Sequence, residues 1–97
     1  MTFILIDLCD KTNDLQLANG NWWPVASEIR RSGIVVDERA ETLEYHLCTH
    51  VSSSEAAVIS AHLSNLIHTN ALVPDIDYQI AQMVADFAAS SSGFEVC

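Results

Sequence analysis

Ser52-Ser-Ser-Glu-Ala-Ala-Val-Ile-Ser-Ala-His-Leu-Ser-Asn-Leu-Ile-His68 opens with a capping box and then keeps a helical period. In Ser52-x-x-Glu55 the hydroxyl can accept from a first-turn N–H while the carboxylate reaches back to the cap N–H. Ala56, Ile59, Leu63, Leu66 and Ile67 then fall on one face, so the spacing predicts a helix over Ser53–His68. Thr69-Asn70 ends it and Val73-Pro74 breaks the chain. Asp75 reads as the cap of a further helix, Asp75–Ser90, with Ile76, Ile80, Met83, Val84 and Phe87 as its apolar stripe. A connection this short predicts that the two helices pack antiparallel.

Working outward, Leu43–Val51 alternates apolar and polar residues and reads as a half-buried strand. Phe3–Leu8 is apolar on both faces and closed by the polar cluster Asp10–Asp14, as expected of a central strand. Asn19-Gly20-Asn21 is a turn signal. Asn21 is the expected cap of a helix to about Ser32, with Pro24 in its first turn, Arg30 and Arg31 in its last, and Gly33 as its stop. Phe94–Cys97 alternates again and is long enough for an edge strand. The fold class expected is therefore α+β: a small antiparallel or mixed sheet of two to three strands with three helices packed on one face. Residues 1–97 form one compact domain, since a chain of this length cannot divide its core in two.

A 49% hydrophobic content with 18% charged residues lies on the folding side of the disorder boundary. The net charge of −9 is unevenly spread. Every Lys and Arg precedes residue 40, whereas Glu41, Glu44, Glu55, Asp75, Asp77, Asp86 and Glu95 follow it. Four bases are too few for phosphate-driven binding, so direct contact with nucleic acid is excluded, and anionic membranes are equally disfavoured. The stretch Met1–Asp7 lacks a basic leader, and Asp7 and Asp10 interrupt it before any spanning length, which predicts a cytoplasmic protein. Cys9, Cys48 and Cys97 are an odd set without CxxC spacing and read as reduced thiols.

His46-x-Cys48-x-His50 is the sharpest local chemistry, because a strand would put all three side chains on one face. Zinc ligands, however, usually come from turns and helices with other spacings, so an ordinary strand face is the expected role and no metal or cofactor is assigned. His62 and His68 read as a boundary residue and a helix-end partner of the dipole. Glu38, Glu41 and Glu44 at spacing three are a solvated face, and Asp75 and Asp77 suit a helix start without further chemistry. Trp22-Trp23 is more informative. Adjacent helical positions lie about 100° apart, so both rings cannot enter the same core, and one is left as a candidate anchor. There is no GxGxxG, P-loop, GxSxG or HExxH, so no enzyme activity is expected.

The segments Asn21-Trp22-Trp23 to Gly33, Tyr45–His50, Val51-Ser-Ser-Ser-Glu-Ala56 and Phe87-Ala-Ala-Ser-Ser-Ser-Gly-Phe94 resemble, in kind and order, small acidic bacterial and phage-encoded accessory proteins. The resemblance covers most of the chain and carries over no functional residue. It implies an inhibitor of the anti-CRISPR type, or an immunity protein. With the charge pattern it gives the expected function: a non-enzymatic acidic module that covers a basic, nucleic-acid-binding surface of a protein partner. Trp22, Trp23, Glu41, Glu44, Asp75, Asp77 and Asp86 are its expected contact residues. The alternatives are a metal- or thiol-dependent protein built on His46, Cys48 and His50, and a structural subunit, with a homodimer as the simplest assembly.

Overall fold

The apolar run in Thr2-Phe-Ile-Leu-Ile-Asp7 becomes strand β1 (Thr2–Asp7) in the computed structural model, which describes residues 2–36, 38–45 and 47–97. Phe3 and Leu5 are fully buried on one face, and Ile4 and Ile6 are half-buried on the other. The fold is α+β, as the sequence predicts, but its sheet has four strands in the order β2-β1-β4-β3, all paired antiparallel. The unexpected strand is β2 (Asp14–Ala18), which pairs with β1 through Phe3↔Leu17 and Leu5↔Leu15. Two leucines separated by Gln16 are too short a pattern to announce a strand locally. Their partners across the hairpin supply what the segment lacks. Asp7, buried at the end of β1, accepts the Cys9 backbone N–H at 2.9 Å and the Asn13 side chain at 3.2 Å, closing the hairpin loop.

Helix α1 (Asn19–Arg31) follows β2 directly. It begins two residues before the expected start, with Ala18 at the cap position and no side-chain cap bond, so Asn21 is not the cap. Pro24 accordingly lies in the second turn. The bond its ring forfeits is the one to the carbonyl of Gly20. The C-terminal end is as expected: Arg30 and Arg31 occupy the last turn, and Gly33 takes φ +74°.

The expected strand Leu43–Val51 is mostly not a strand. A short helix α2 (Arg39–Thr42) precedes it, and the backbone N–H groups of Leu43, Glu44 and Tyr45 bond back to Arg39, Glu41 and Thr42. Leu43 is buried, but Tyr45 and Leu47, which the alternation would place beside it, are exposed. Of its described residues, only β3 (Thr49–Val51) joins the sheet.

Helix α3 (Ser53–His68) has the expected bounds and the expected capping box, with Glu55 N–H donating to Ser52 Oγ and Ser52 N–H to Glu55 Oε1. Ala56, Ile59 and Leu63 form its buried stripe, with Leu66 and Ile67 half-buried. Helix α4 (Tyr78–Ser90) is capped by Asp77, not Asp75: Asp77 Oδ1 accepts from Gln79 and Ile80 at 2.9 and 3.2 Å. Its buried face is Ala81, Val84, Ala85, Phe87 and Ala88, while Met83 points out. Ser53, Ala57 and Ala61 of α3 lie beside Ala88, Ala89 and Ser91 at the end of α4, so the two helices run antiparallel.

Strand β4 (Phe94–Val96) enters between β1 and β3. Gly93 has φ +97°, and a Cβ there would lie 2.8 Å from the Val51 carbonyl oxygen, so the tight approach of β3 to β4 requires glycine. The inner sheet face, with Phe3, Leu5, Leu17, Val51, Phe94 and Val96, shares one core with the buried stripes of α1, α3 and α4. The outer face carries Ile4, Ile6, Asp14, Gln16, His50 and Glu95. Cys48 and Cys97 are joined by a disulfide and Cys9 is a free, exposed thiol, which corrects the expectation of three reduced cysteines. Among the described residues no helix is long and apolar enough to cross a membrane.

Candidate functional site

Trp22 and Trp23 leave α1 in different directions and bind successive carbonyls just beyond α2. Trp22 Nε1 donates to Leu43 O at 2.8 Å, and Trp23 Nε1 to Glu44 O at 3.1 Å. Trp22 is wholly buried, its ring 6.2 Å from that of Phe3. It is a core residue and cannot be the surface anchor that the sequence reading allowed. Trp23 is 47% exposed, its indole N–H held by one hydrogen bond.

Trp23 lines an open concavity of about 620 Å³ with Gly20, Pro24, Ser27, Glu44 and Asp75. A smaller hollow of about 190 Å³ continues it past Pro24, Ser27 and Asp75 to Glu28, Arg31 and Val73. Three of the seven expected contact residues therefore meet in one place: Trp23 from α1, Glu44 from the turn after α2, and Asp75 from the α3–α4 connection. Gly20, Pro24 and Ser27 were not expected there. Their spacing from Trp23, three or four residues except for adjacent Pro24, is the period of one helix face and was the available signal.

The other acids lie elsewhere. Glu41 is 3.7 Å from Arg30, and Glu55 is held by Arg39. Bases from the first part of the chain thus reach the acidic part, a compensation that the linear charge pattern conceals. Asp77 serves as the α4 cap. Asp86 accepts from Gln82 at 2.9 Å and faces a separate hollow with Asp14, Met83 and Phe87. Glu41, Asp77 and Asp86 do not line the Trp23 concavity. Among the described residues no Lys, Arg or His lies within ion-pair distance of Glu44, Asp75, Asp77 or Asp86.

Beneath the smaller hollow sits Glu28, a buried carboxylate that accepts from Arg31 and lies 2.8 Å from His62 Nε2. Burial alone would raise its pKa, but the His62 and Arg31 hydrogen bonds outweigh that and hold it below the ordinary glutamate value. His62 thus has a structural partner. His68 is exposed in the last turn of α3.

Of the triplet His46, Cys48 and His50, His46 lies outside the described residues. Cys48 is bonded to Cys97, and His50 Nε2 is 2.5 Å from Glu95 Oε2. The donors shown near Cys48 are Glu95 of β4 and Cys97 just after it, and no sequence spacing indicated this.

No protein-family model, curated protein or solved structure matches the chain.

Proposed function

We propose that the chain is a non-enzymatic, acidic protein-binding module that covers a basic surface of its partner, acting in the cytoplasm as an inhibitor encoded by a mobile element. The observation that carries this reading is the notch where Trp23, Glu44 and Asp75 meet. An arginine or lysine side chain from a partner suits it: the indole face attracts a cation, and the two carboxylates have no cationic partner among the described residues. Preorganisation supports the same reading, because the Trp23 ring is already fixed and little side-chain entropy remains to be lost on binding. The setting rests on the resemblance to accessory proteins of mobile elements. A partner surface that normally holds nucleic acid is basic and would match the net charge of −9.

An arginine-rich peptide tests this directly, with tryptophan fluorescence as the readout. Binding is expected to perturb Trp23 emission, to weaken with added salt, and to lose about three- to tenfold in affinity in each of Glu44→Gln and Asp75→Asn. A peptide that binds Trp23→Phe, Glu44→Gln and Asp75→Asn as tightly as the parent chain would move binding away from this notch. Measurable affinity for double-stranded DNA would remove the reading altogether.

A further inference from the structure

The antiparallel register of β3 and β4 pairs Thr49 with Val96 and His50 with Glu95, so Cys48, one residue earlier, stands opposite Cys97. Thr49, Val51, Phe94 and Val96 turn inward and are buried. By the alternation of strands His50 and Glu95 share the outer face, and just beyond the paired segment the disulfide-joined Cys48, with φ +52°, and Cys97 complete a two-by-two block with them. The contacts are close. Cys97 Sγ is 3.1 Å from Glu95 Oε1, Glu95 Oε2 is 2.5 Å from His50 Nε2, and donor atoms of Cys48, Glu95 and Cys97 all lie within 4.8 Å of one another.

We propose that this block is a redox-gated metal site: with the Cys48–Cys97 bond reduced, Cys48, Cys97, His50 and Glu95 bind one zinc-class cation, and with the bond formed the site is closed. Two thiolates, an imidazole and one carboxylate are the donor types that a borderline-soft, tetrahedral cation takes. A calcium or magnesium ion would need six or more oxygens and finds only those of Glu95 here. At zinc bond lengths of about 2.0–2.3 Å, tetrahedral donors stand roughly 3.3–3.8 Å apart, so the present Cys97–Glu95 contact of 3.1 Å must open slightly and His50–Glu95, at 2.5 Å, by about 1 Å. The sulfurs must separate from bonding distance, and His50, which lies outside the 4.8 Å cluster of Cys48, Glu95 and Cys97, must turn toward them. Lys11 and Asp7 line the neighbouring hollow with His50 and Glu95, one charge of each sign.

The chemistry balances with a cellular dithiol as reductant. It delivers two electrons and two protons to the disulfide and itself closes to a disulfide; the cation then displaces both thiol protons. In the reverse direction hydrogen peroxide takes two electrons from the bound thiolates and two protons from solvent, leaves as two waters, and the sulfurs close to the S–S bond as the cation is released. Either state ties the strand ahead of α3 to the last residue of the chain. The cation would replace the covalent link in a reducing compartment.

Cobalt(II) tests the site because its thiolate complexes are coloured. The full chain, reduced with a phosphine and freed of it without air, should bind one cobalt per chain with a thiolate-to-metal charge-transfer band and visible tetrahedral bands. Equimolar zinc should erase both, and the oxidised chain should show neither. Cys48→Ser and Cys97→Ser should each lose about half of the charge-transfer intensity, since one of two thiolates is gone. Glu95→Gln and His50→Ala leave the disulfide intact, so their fold can be verified in the oxidised form; reduced, each should bind cobalt about 10–100-fold more weakly. Absence of the charge-transfer band in the reduced parent chain overturns the proposal, and so does unchanged cobalt affinity in both Glu95→Gln and His50→Ala. A reduced chain that unfolds and is not refolded by cobalt, read by circular dichroism, overturns it as well.

Discussion

The Arg39 guanidinium holds the Glu55 carboxylate through two hydrogen bonds, Nη1 to Oε1 at 2.8 Å and Nη2 to Oε2 at 2.7 Å. Glu55 Oε1 also accepts the Ser52 backbone N–H at 2.9 Å, so the α3 capping box is completed by an arginine from α2. A short helix that could not persist alone is thereby fastened to the start of the longest one.

Because one carboxylate serves both partners, their effects should couple. Ser52→Ala should cost about 1 kcal/mol as a lost cap, and Arg39→Ala about 1–2 kcal/mol as a lost charge-assisted pair that is partly exposed. Urea denaturation of the two single variants and the double variant measures the coupling. Strict additivity would mean that the arginine and the cap act independently.

Acid should unfold the protein through its paired glutamates. Hydrogen bonds from Arg39 hold Glu55 below the ordinary glutamate value, and Glu28 is likewise depressed once the opposing cost of burial is outweighed by His62 and Arg31. A depressed folded value means that the ionised carboxylate stabilises the fold above its unfolded value, and that this contribution disappears as pH falls through the folded value. Thermal midpoints should hold level down to about pH 5 and drop below about pH 4.5, with a shallower drop in Glu28→Gln. Equal midpoints at about pH 7 and pH 3 would contradict this account.

Leu63→Ala opens a cavity under a wholly buried position and should cost about 2–5 kcal/mol. Asn65→Ala, two residues on and exposed, should cost under about 0.5 kcal/mol. Similar denaturation midpoints for the pair would place the buried stripe of α3 on another face.

The two tryptophans should separate in solution. Acrylamide should quench Trp23 freely and Trp22 hardly at all, which Trp22→Phe and Trp23→Phe resolve individually. Trp22→Ala should cost about 3–5 kcal/mol, since it empties the centre of the core and strands the Leu43 carbonyl. Trp23→Ala removes a half-exposed ring and should cost far less. Equal quenching of both rings would show that α1 is rotated from the orientation described.

Cys48 and Cys97 are 49 residues apart, and closing so long a loop restricts the unfolded chain. Cys97→Ser should lower the stability of the oxidised, metal-free protein by about 2–4 kcal/mol. Reductant should lower the parent chain by the same amount and leave Cys97→Ser unchanged. A parent chain indifferent to reductant would mean that the bond contributes nothing to stability.

The sequence by itself determined the elements whose information is local. Ser52-x-x-Glu55 and the stripe behind it fix both ends of α3, because capping and helical period involve neighbours within one or two turns. Phe3–Leu8 announced a central strand for the same reason, and adjacency alone required Trp22 and Trp23 to diverge. Only the tertiary structure decided which pairings cross the chain. Leu15 and Leu17 are a strand because β1 lies beside them, whereas the alternating Leu43–Val51 begins with Leu43, Glu44 and Tyr45, which instead continue the turns of α2. Likewise Asp75 and Asp77 look equivalent as helix starters, and the direction of the chain after Val73 selects Asp77 as the cap. The notch of Trp23, Glu44 and Asp75 and the block of Cys48, His50, Glu95 and Cys97 draw on segments 21 to 52 and 45 to 49 residues apart. Such distances leave no period in a sequence, since they are set by sheet register and by how helices settle on a shared core.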